Sequence, residues 1–436
     1  MADASIQELR EVNRLVYLRP DNGALINSRT MKSYNFSSAS YIAGQTAQCI
    51  INSGGDAIWG PTSYIRMQFT VNNGGETELV GTGSVLNFFK NVRLSHRSGE
   101  PLEYVQTANL LGKIKLHYEL DAAAKSKLSS VGDSYDPAAA MQHVGVLDLP
   151  AVDASAAAGV TFTRYVPLWL LFGVFGNKDQ MIPPGMLAGA KVEIDLETNA
   201  IAFSRTATLT NLNMTLVLDS AQVYDSVVKQ LLDEQADVSK SGLQFSYSTW
   251  FNSHGPFASS SVNFDVQQAA SITQKAVAVV RLEADLAADI DSFKMKTEAT
   301  SLQWRLASSF YPQQALTLSA GNQHEAYGTT LVAFDGSPMQ YEGSTSSSGG
   351  TAAKLANWAA APAGAGAPVG NAISAGCYAQ TMEKSSTGLQ LSGEPTNNSR
   401  LLALEMTKPA VADRVDVFLQ YLRICNLMGD NVVIDR

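Results

Sequence analysis

The chain reads as an all-β protein made of two tandem β-sandwiches. Three observations carry that reading. Short segments rich in Val, Ile, Thr and aromatics alternate with polar residues and are separated by Gly, Asn and Pro clusters. Two stretches, Arg205–Asp225 and Arg414–Arg436, each read as one long alternating strand, and each closes a unit of about 200 residues, the size of a complete sheet domain. One helical pattern interrupts each set of strands, which fits a sandwich better than a βαβ sheet.

Ser5–Tyr17 opens the chain with Ile6, Leu9, Val12 and Val16 at helical spacing and with Ser5 and Glu8 placed as a capping box. After Pro20 the period changes to two. Ser40–Asn52, Tyr64–Val71 and Leu86–Ser95 read as strands. Pro101–Tyr118 reads as one helix, with proline at its first turn and a stripe of Leu102, Val105, Leu110 and Ile114. Val160–Pro167, Lys191–Glu197 and Thr208–Tyr224 are strands, and Leu168–Ala190 is an apolar, glycine-rich connection. Asp225–Val238 reads as a linker helix between the halves.

The second half repeats the order. Leu243–Phe251, Ser261–Val266, Ala276–Glu283 and Ser301–Ala307 are strands, Glu325–Phe334 is a short helix, and Cys377–Glu383, Arg400–Met406 and the last long strand complete the set. Asp335–Ala375 is crowded with Gly, Ser and Ala, and reads as a long loop at the outer surface or a subunit contact. The expected division is an N-terminal arm at 1–39, a first sandwich with its linker helix at 40–238, and a second sandwich at 239–436 carrying loop 335–375.

Composition excludes several roles. A net charge of -9 argues against a protein that coats nucleic acid, because neutralising phosphates takes a surplus of Lys and Arg. The charged fraction of 16% lies below the usual ~25%, as expected of a large domain or of a subunit that hides surface against partners. The start lacks the apolar core of a secretory signal, and Val166–Phe175 is too short to span a bilayer, so the expectation is a soluble, non-secreted protein. Cys49, Cys377 and Cys425 are far apart with no CxxC, and read as buried small hydrophobes in a reducing compartment. The sequons at Asn35, Asn213 and Asn397 then read as chance matches.

No catalytic constellation is visible. His96, His117, His143, His254 and His324 are scattered without HxH or HExxH spacing, and His117 with Lys113 and Lys115 reads as a solvated helix face. GxSxG, P-loop and GxGxxG patterns are absent from the sequence, and Gly81-Thr82-Gly83-Ser84 reads as a turn between strands. Asp285, Asp289 and Asp291 cluster without the glycine and terminal glutamate of a calcium loop. Catalytic, cofactor and metal residues are therefore all expected to be none. Tyr311-Pro312 reads as a packed strand-exit turn and a candidate cis peptide.

Four segments resemble the double jelly-roll major capsid proteins of DNA viruses, the lineage of adenovirus hexon, large eukaryotic DNA viruses, virophages and polinton-like viruses. They are Val166–Leu196 with its Ile-Pro-Pro turn, Gln303–Leu316 with its aromatic-Pro-x-Gln core, Ser392-Gly393 ahead of Arg400–Glu405, and the closing Val415–Val433. Their order along the chain carries the likeness, which extends over most of Tyr41–Arg436; loop 335–375 departs from it. The resemblance implies two tandem eight-stranded jelly rolls and no cofactor. It also implies a homotrimer of nearly hexagonal outline that tiles an icosahedral virion shell assembled inside the host cell. Neighbouring capsomers, penton and minor or cement proteins would be its partners, without membrane insertion. Arg10, Arg14 and Arg19 on the arm are then candidates for inner-face contacts, giving at most a weak, salt-sensitive contact with genome phosphate, and packing of the arm on its own or a neighbouring subunit is the favoured reading. The alternatives are a double-sandwich glycan-binding protein or glycoprotein amidase, which needs paired carboxylates in a cleft, and a single-roll minor or penton protein, which the doubled length disfavours.

Overall fold

A computed structural model describes residues 26–72, 85–118, 159–178, 180–203, 208–224, 243–283, 286, 300–317, 324–335, 377–382, 393–396, 401–428 and 431–435. The first roll contains β1 (Ile26–Asn35), β2 (Thr46–Ile51), β3 (Ala57–Asn72), β4 (Phe89–Ser95), β5 (Pro101–Val105), β6 (Val160–Pro167), β7 (Ala190–Leu196) and β8 (Thr208–Val223). One antiparallel sheet runs β1-β8-β3-β6 and the other β2-β7-β4-β5. Period two decides which face is buried: in β7, Val192, Ile194 and Leu196 point inward while Lys191, Glu193 and Asp195 point outward.

The second roll contains β9 (Leu243–Phe257), β10 (Ser261–Val266), β11 (Ala270–Leu282), β12 (Ser301–Leu306), β13 (Ser309–Thr317), β14 (Tyr378–Thr381), β15 (Glu394–Thr396), β16 (Leu402–Thr407), β17 (Asp413–Met428) and β18 (Asn431–Asp435). One sheet runs β10-β16-β12-β13; in the other, β17 lies between β9 and β11, and β11 carries β14 and β15. The two rolls therefore share one plan. β1-β8-β3-β6 corresponds to β9-β17-β11-β14, and β2-β7-β4-β5 to β10-β16-β12-β13, with β15 and β18 added to the second copy. Even β8 and β17 have the same length, 16 residues.

Helices occupy matching places. α1 (Ala108–Tyr118) lies between β5 and β6, and α4 (His324–Asp335) lies between β13 and β14. α2 (Leu168–Leu171), a 3-10 turn at Gly173–Gly176, and α3 (Asn199–Phe203) belong to the first roll, as does the 3-10 turn Val85–Phe88, and among the described residues they have no counterpart in the second. The first core cluster extends from Phe69, Phe88 and Phe89 into the second roll through Tyr247, Trp250, Val277 and Phe418, whereas a second cluster around Trp304, Leu404 and Val417 fills the second sandwich. The rolls thus share a hydrophobic boundary.

Four expectations are corrected. Pro101–Val105 is strand β5, and the helix begins only at Ala108; a proline opening an edge strand removes no ladder donor, so the first-turn signal was equally a first-residue-of-strand signal. The last alternating stretch is a hairpin, because β18 folds back with Met428 opposite Asn431. Ile26–Asn35, placed in the arm, pairs along β8 as β1. Lys115 is buried rather than solvated, and its Nζ donates to the carbonyl oxygens of Trp169 at 3.1 Å and Leu170 at 3.5 Å. The three cysteines are buried and form no disulfide, and Tyr311-Pro312 is cis, as expected.

Candidate assembly surfaces

The rolls are locked together by a polar seam set in apolar surroundings. β5 brings Glu103, fully buried, to the first strand of the second roll. Its carboxylate accepts hydrogen bonds from the backbone N–H groups of Gly173 at 2.9 Å and Val174 at 3.0 Å, and from Thr249 Oγ1 at 2.5 Å. Burial pushes the Glu103 carboxyl above its ordinary value, and the three donors and nearby Lys115 pull it back. Tyr247 Oη donates to the Leu102 carbonyl at 2.7 Å, and burial drives that phenol well above its usual range. Arg423 of β17 donates to the carbonyls of Pro101, at 3.2 Å, and Leu102. Asn177 Nδ2 donates to the Ser246 carbonyl at 3.3 Å. The bonds made by Thr249, Tyr247, Arg423 and Asn177 tie the first roll to the second, while those from Gly173 and Val174 fix Glu103 within the first.

The close approach at the seam requires glycine. A Cβ on Gly173 would lie 1.9 Å from the Ser248 carbonyl oxygen. Gly60 meets the same need inside the first roll, where a Cβ would lie 2.5 Å from the Phe175 carbonyl oxygen.

Other surfaces are left open. Every residue of β1 except Tyr34 is exposed, and polar side chains fasten it: Arg29 to Asp219 at 2.5 Å, Lys32 to Asp56, and Ser28 to Gln222 at 3.2 Å. Arg29 holds the Asp219 carboxyl below the ordinary carboxylate range, with Thr62 adding a further donor. β13, the edge of its sheet, buries only Leu316 and exposes Phe310.

The outer face of β2-β7-β4-β5 carries a shallow cavity of about 300 Å³ lined by Thr46, Asn91, Arg93, Tyr104, Glu193 and Asp195. Its carboxylates are engaged by their own sheet. Asp195 accepts from Thr46 at 2.6 Å and from Asn91 at 3.1 Å, and Glu193 accepts from Lys191 at 2.7 Å and from Gln48 at 3.2 Å. Arg93 sits over the Tyr104 ring. That pattern is a solvated sheet face, not a pair of free carboxylates facing a cleft.

Among the described residues no group of three His, Cys, Asp or Glu side chains is placed to hold a metal. His96 is buried with Nδ1 2.9 Å from Ser98 Oγ, and His254 lies on β9 near Arg414, with burial lowering its pKa. No described helix is long and apolar enough to cross a membrane. Arg10, Arg14, Arg19, Asp285, Asp289, Asp291, His143, Gly81-Thr82-Gly83-Ser84, linker 225–238 and almost all of loop 335–375 lie outside the described residues. The sequence reading missed Glu103, Tyr247, Thr249 and Arg423 as a set. The available signal was a carboxylate two residues before Val105, and so on the same face as that apolar side chain, once the segment is read as a strand.

This architecture, two rolls that share one eight-strand plan with two strands added to the second, is the fold of double jelly-roll major capsid proteins. No family model and no curated protein matches the chain. Solved structures match it over nearly its whole length. The PBCV-1 virus capsid protein aligns with a TM-score of 0.55 at 12% identity, covering 96% of this chain and 99% of its own. The mavirus major capsid protein aligns with a TM-score of 0.55 at 12% identity, covering 96% and 92%. The Faustovirus major capsid protein aligns with a TM-score of 0.54 at 9% identity, covering 93% and 92%.

Proposed function

We propose that this chain is a virion structural protein, the major capsid protein of a DNA virus, acting without catalysis as a pseudo-hexagonal trimer that tiles an icosahedral shell. One observation carries the reading: both rolls, in order, superpose on capsid proteins with almost nothing left over in either chain. The physics of the seam supports it. Two rolls fixed to each other by buried bonds make a rigid tile with two similar walls, and three such tiles in a closed ring present six. The residues before β1 form the arm in this reading, with Arg10, Arg14 and Arg19 facing the shell interior, and 26–238 and 239–436 are the two rolls with their connections. Neighbouring capsomers, penton and minor or cement proteins are the partners, and loop 335–375 lies at the outer surface.

The direct test is the mass of the purified chain by light scattering at micromolar concentration, followed by negative-stain microscopy. The expected result is three times the 46.6 kDa chain, with hexagonal outlines. A stable monomer that forms no higher assembly overturns the proposal. Deleting 335–375 is expected to leave the trimer intact; loss of folding would remove that placement of the loop.

A further inference from the structure

One end of the second roll gathers both its long connections and a cluster of charge. β9, β11 and β13 finish at that end and β17 begins there, so the turns to β10, β12 and β14, loop 335–375 among them, all leave from it. Three adjacent strands bring four side chains to one face of the sheet. Arg281 of β11 stands opposite Arg414 of β17, and His254 of β9 stands opposite Asp416, two residues further along β17. Arg281 donates to Asp416 Oδ2 through Nε at 3.3 Å and Nη2 at 2.9 Å; Arg414 donates to Oδ1 through Nε at 3.2 Å and Nη2 at 3.0 Å. Arg281 and Asp416 are buried, the Arg414 side chain is 23% exposed, and His254 is exposed at the rim.

One carboxylate thus serves two arginines. Asp413, the nearest acid along β17, is paired with buried Lys408 at 3.0 Å. Among the described residues no other carboxylate, Glu283 beyond β11 included, lies within ion-pair distance of either arginine. The cluster therefore keeps one positive charge uncompensated, with Arg281 and Arg414 directly opposite in the ladder, where like charges cost stability. Burial and then Arg414 hold the His254 imidazole below its usual range, as a surplus of positive charge does. The repeated plan does not require this cluster: at the same end of the first roll, 70–72 of β3 and 208–213 of β8 carry no charged residue. Guanidinium forks match planar or tetrahedral oxyanions, and a surplus of one charge suits a monoanion. A site that neutralises one charge is weak alone, but a shell repeats it on every chain, which favours a polymer that repeats its own charge. The chain's net charge of -9 repels such a polymer elsewhere. We propose that Arg281, Arg414 and His254 form a binding site for the carboxylate or sulfate ester groups of an acidic polysaccharide, at the outward end of the second roll. The outward placement rests on the capsid reading; the charge balance does not.

Binding of the full chain to immobilised dextran sulfate, polygalacturonate and uncharged dextran tests the site, with light scattering run on the same samples. Binding to at least one acidic polymer and none to dextran is expected, and the polymer that binds tells whether the site takes sulfate or carboxylate. Arg414→Gln leaves Asp416 paired with buried Arg281 and should weaken binding about tenfold, the worth of one charged hydrogen bond. Arg414→Lys, which keeps the charge without the fork, should recover part of it. Arg66→Gln removes an exposed arginine from β3 of the first roll and should leave binding unchanged. An equal loss in Arg66→Gln would show unspecific attraction and overturn the site. So would a trimer that binds neither acidic polymer, or an Arg414→Gln chain that binds like the parent; in both cases the capsid reading stands. A chain that binds through Arg414 yet stays monomeric keeps the charge site and removes the capsid reading with the outward placement.

Discussion

Glu103 and Thr249, 146 residues apart in sequence, meet at 2.5 Å across the boundary between the two rolls. The hydroxyl is one of three donors that hold a fully buried carboxylate. A hydrogen bond to a charged group is worth about 1.5–3 kcal/mol, and a buried charge that loses a partner keeps its desolvation cost. Thr249→Val, which keeps the shape, is therefore expected to lower unfolding stability by about 2 kcal/mol, and Thr249→Ser to restore most of it. The pH dependence has a definite sign. Because the native carboxyl is raised above its unfolded value, its contribution is greatest when it is protonated and falls as pH rises through the native pKa. Removing the hydroxyl raises that pKa further, so the variant should lose more stability between acid and neutral pH than the parent. Urea titrations at several pH values check this, and identical curves for parent and variant would refute it.

Gly173 bears on the same boundary through backbone alone. The atom that a Cβ would strike is a carbonyl oxygen of β9, which cannot swing aside as a side chain can. Gly173→Ala should therefore push the rolls apart and cost about 3 kcal/mol, the upper end for overpacking a filled interior. The control is Gly55→Ala, where nothing lies within 4 Å and the change should be near neutral. Thermal unfolding of both variants separates a boundary effect from a general intolerance of alanine.

The strands were legible in the sequence because period two is a local signal. Ser261–Val266 and Val160–Pro167 were read to the residue. What was not legible depended on distant neighbours. Pro101 looks the same at a helix start and at the start of an edge strand, and only pairing with Ser95 decides between them. Lys115 reads as solvent-facing until Trp169 and Leu170 turn their carbonyls towards it. Glu103 looks like any surface carboxylate until β9 arrives from the other roll. The seam is a product of long-range contacts between residues that carry no motif. The shared plan was foreshadowed by the two long closing strands, which become β8 and β17.

The second sandwich has its own anchor. Trp304 on β12 is fully buried and stacks on Tyr378 of β14 with ring centroids 6.1 Å apart and an interplanar angle of 15°. Its indole Nε1 is buried with no hydrogen-bond partner among the described residues. Trp304→Ala should cost about 3–5 kcal/mol from the cavity it leaves. Trp304→Phe should cost much less, because it keeps an aromatic face against Tyr378 and deletes a donor that is buried unpaired. Chemical denaturation of the two variants gives the comparison, and an equal loss for both would show that the ring face contributes little.

The first strand is held differently, and pH should reveal it. β1 buries no large side chain of its own, so its attachment to β8 relies on the backbone ladder and on polar latches, chiefly Arg29 to Asp219. Arg29 is half exposed, so solvent screens the pair and its worth is about 1 kcal/mol. The Asp219 carboxyl is depressed, mainly by its hydrogen bond to Arg29. A depressed carboxyl contributes stability that is present above its unfolded pKa and is lost as pH falls through the native one. On acidification, β1 amides should therefore lose protection before those of β3, which lies in the middle of the same sheet. Asp219→Asn should reproduce the loosened strand at neutral pH and remove the acid step in β1. Hydrogen exchange resolved by strand measures both, and a β1 that opens together with β3 at every pH would show that the latch does not set its stability.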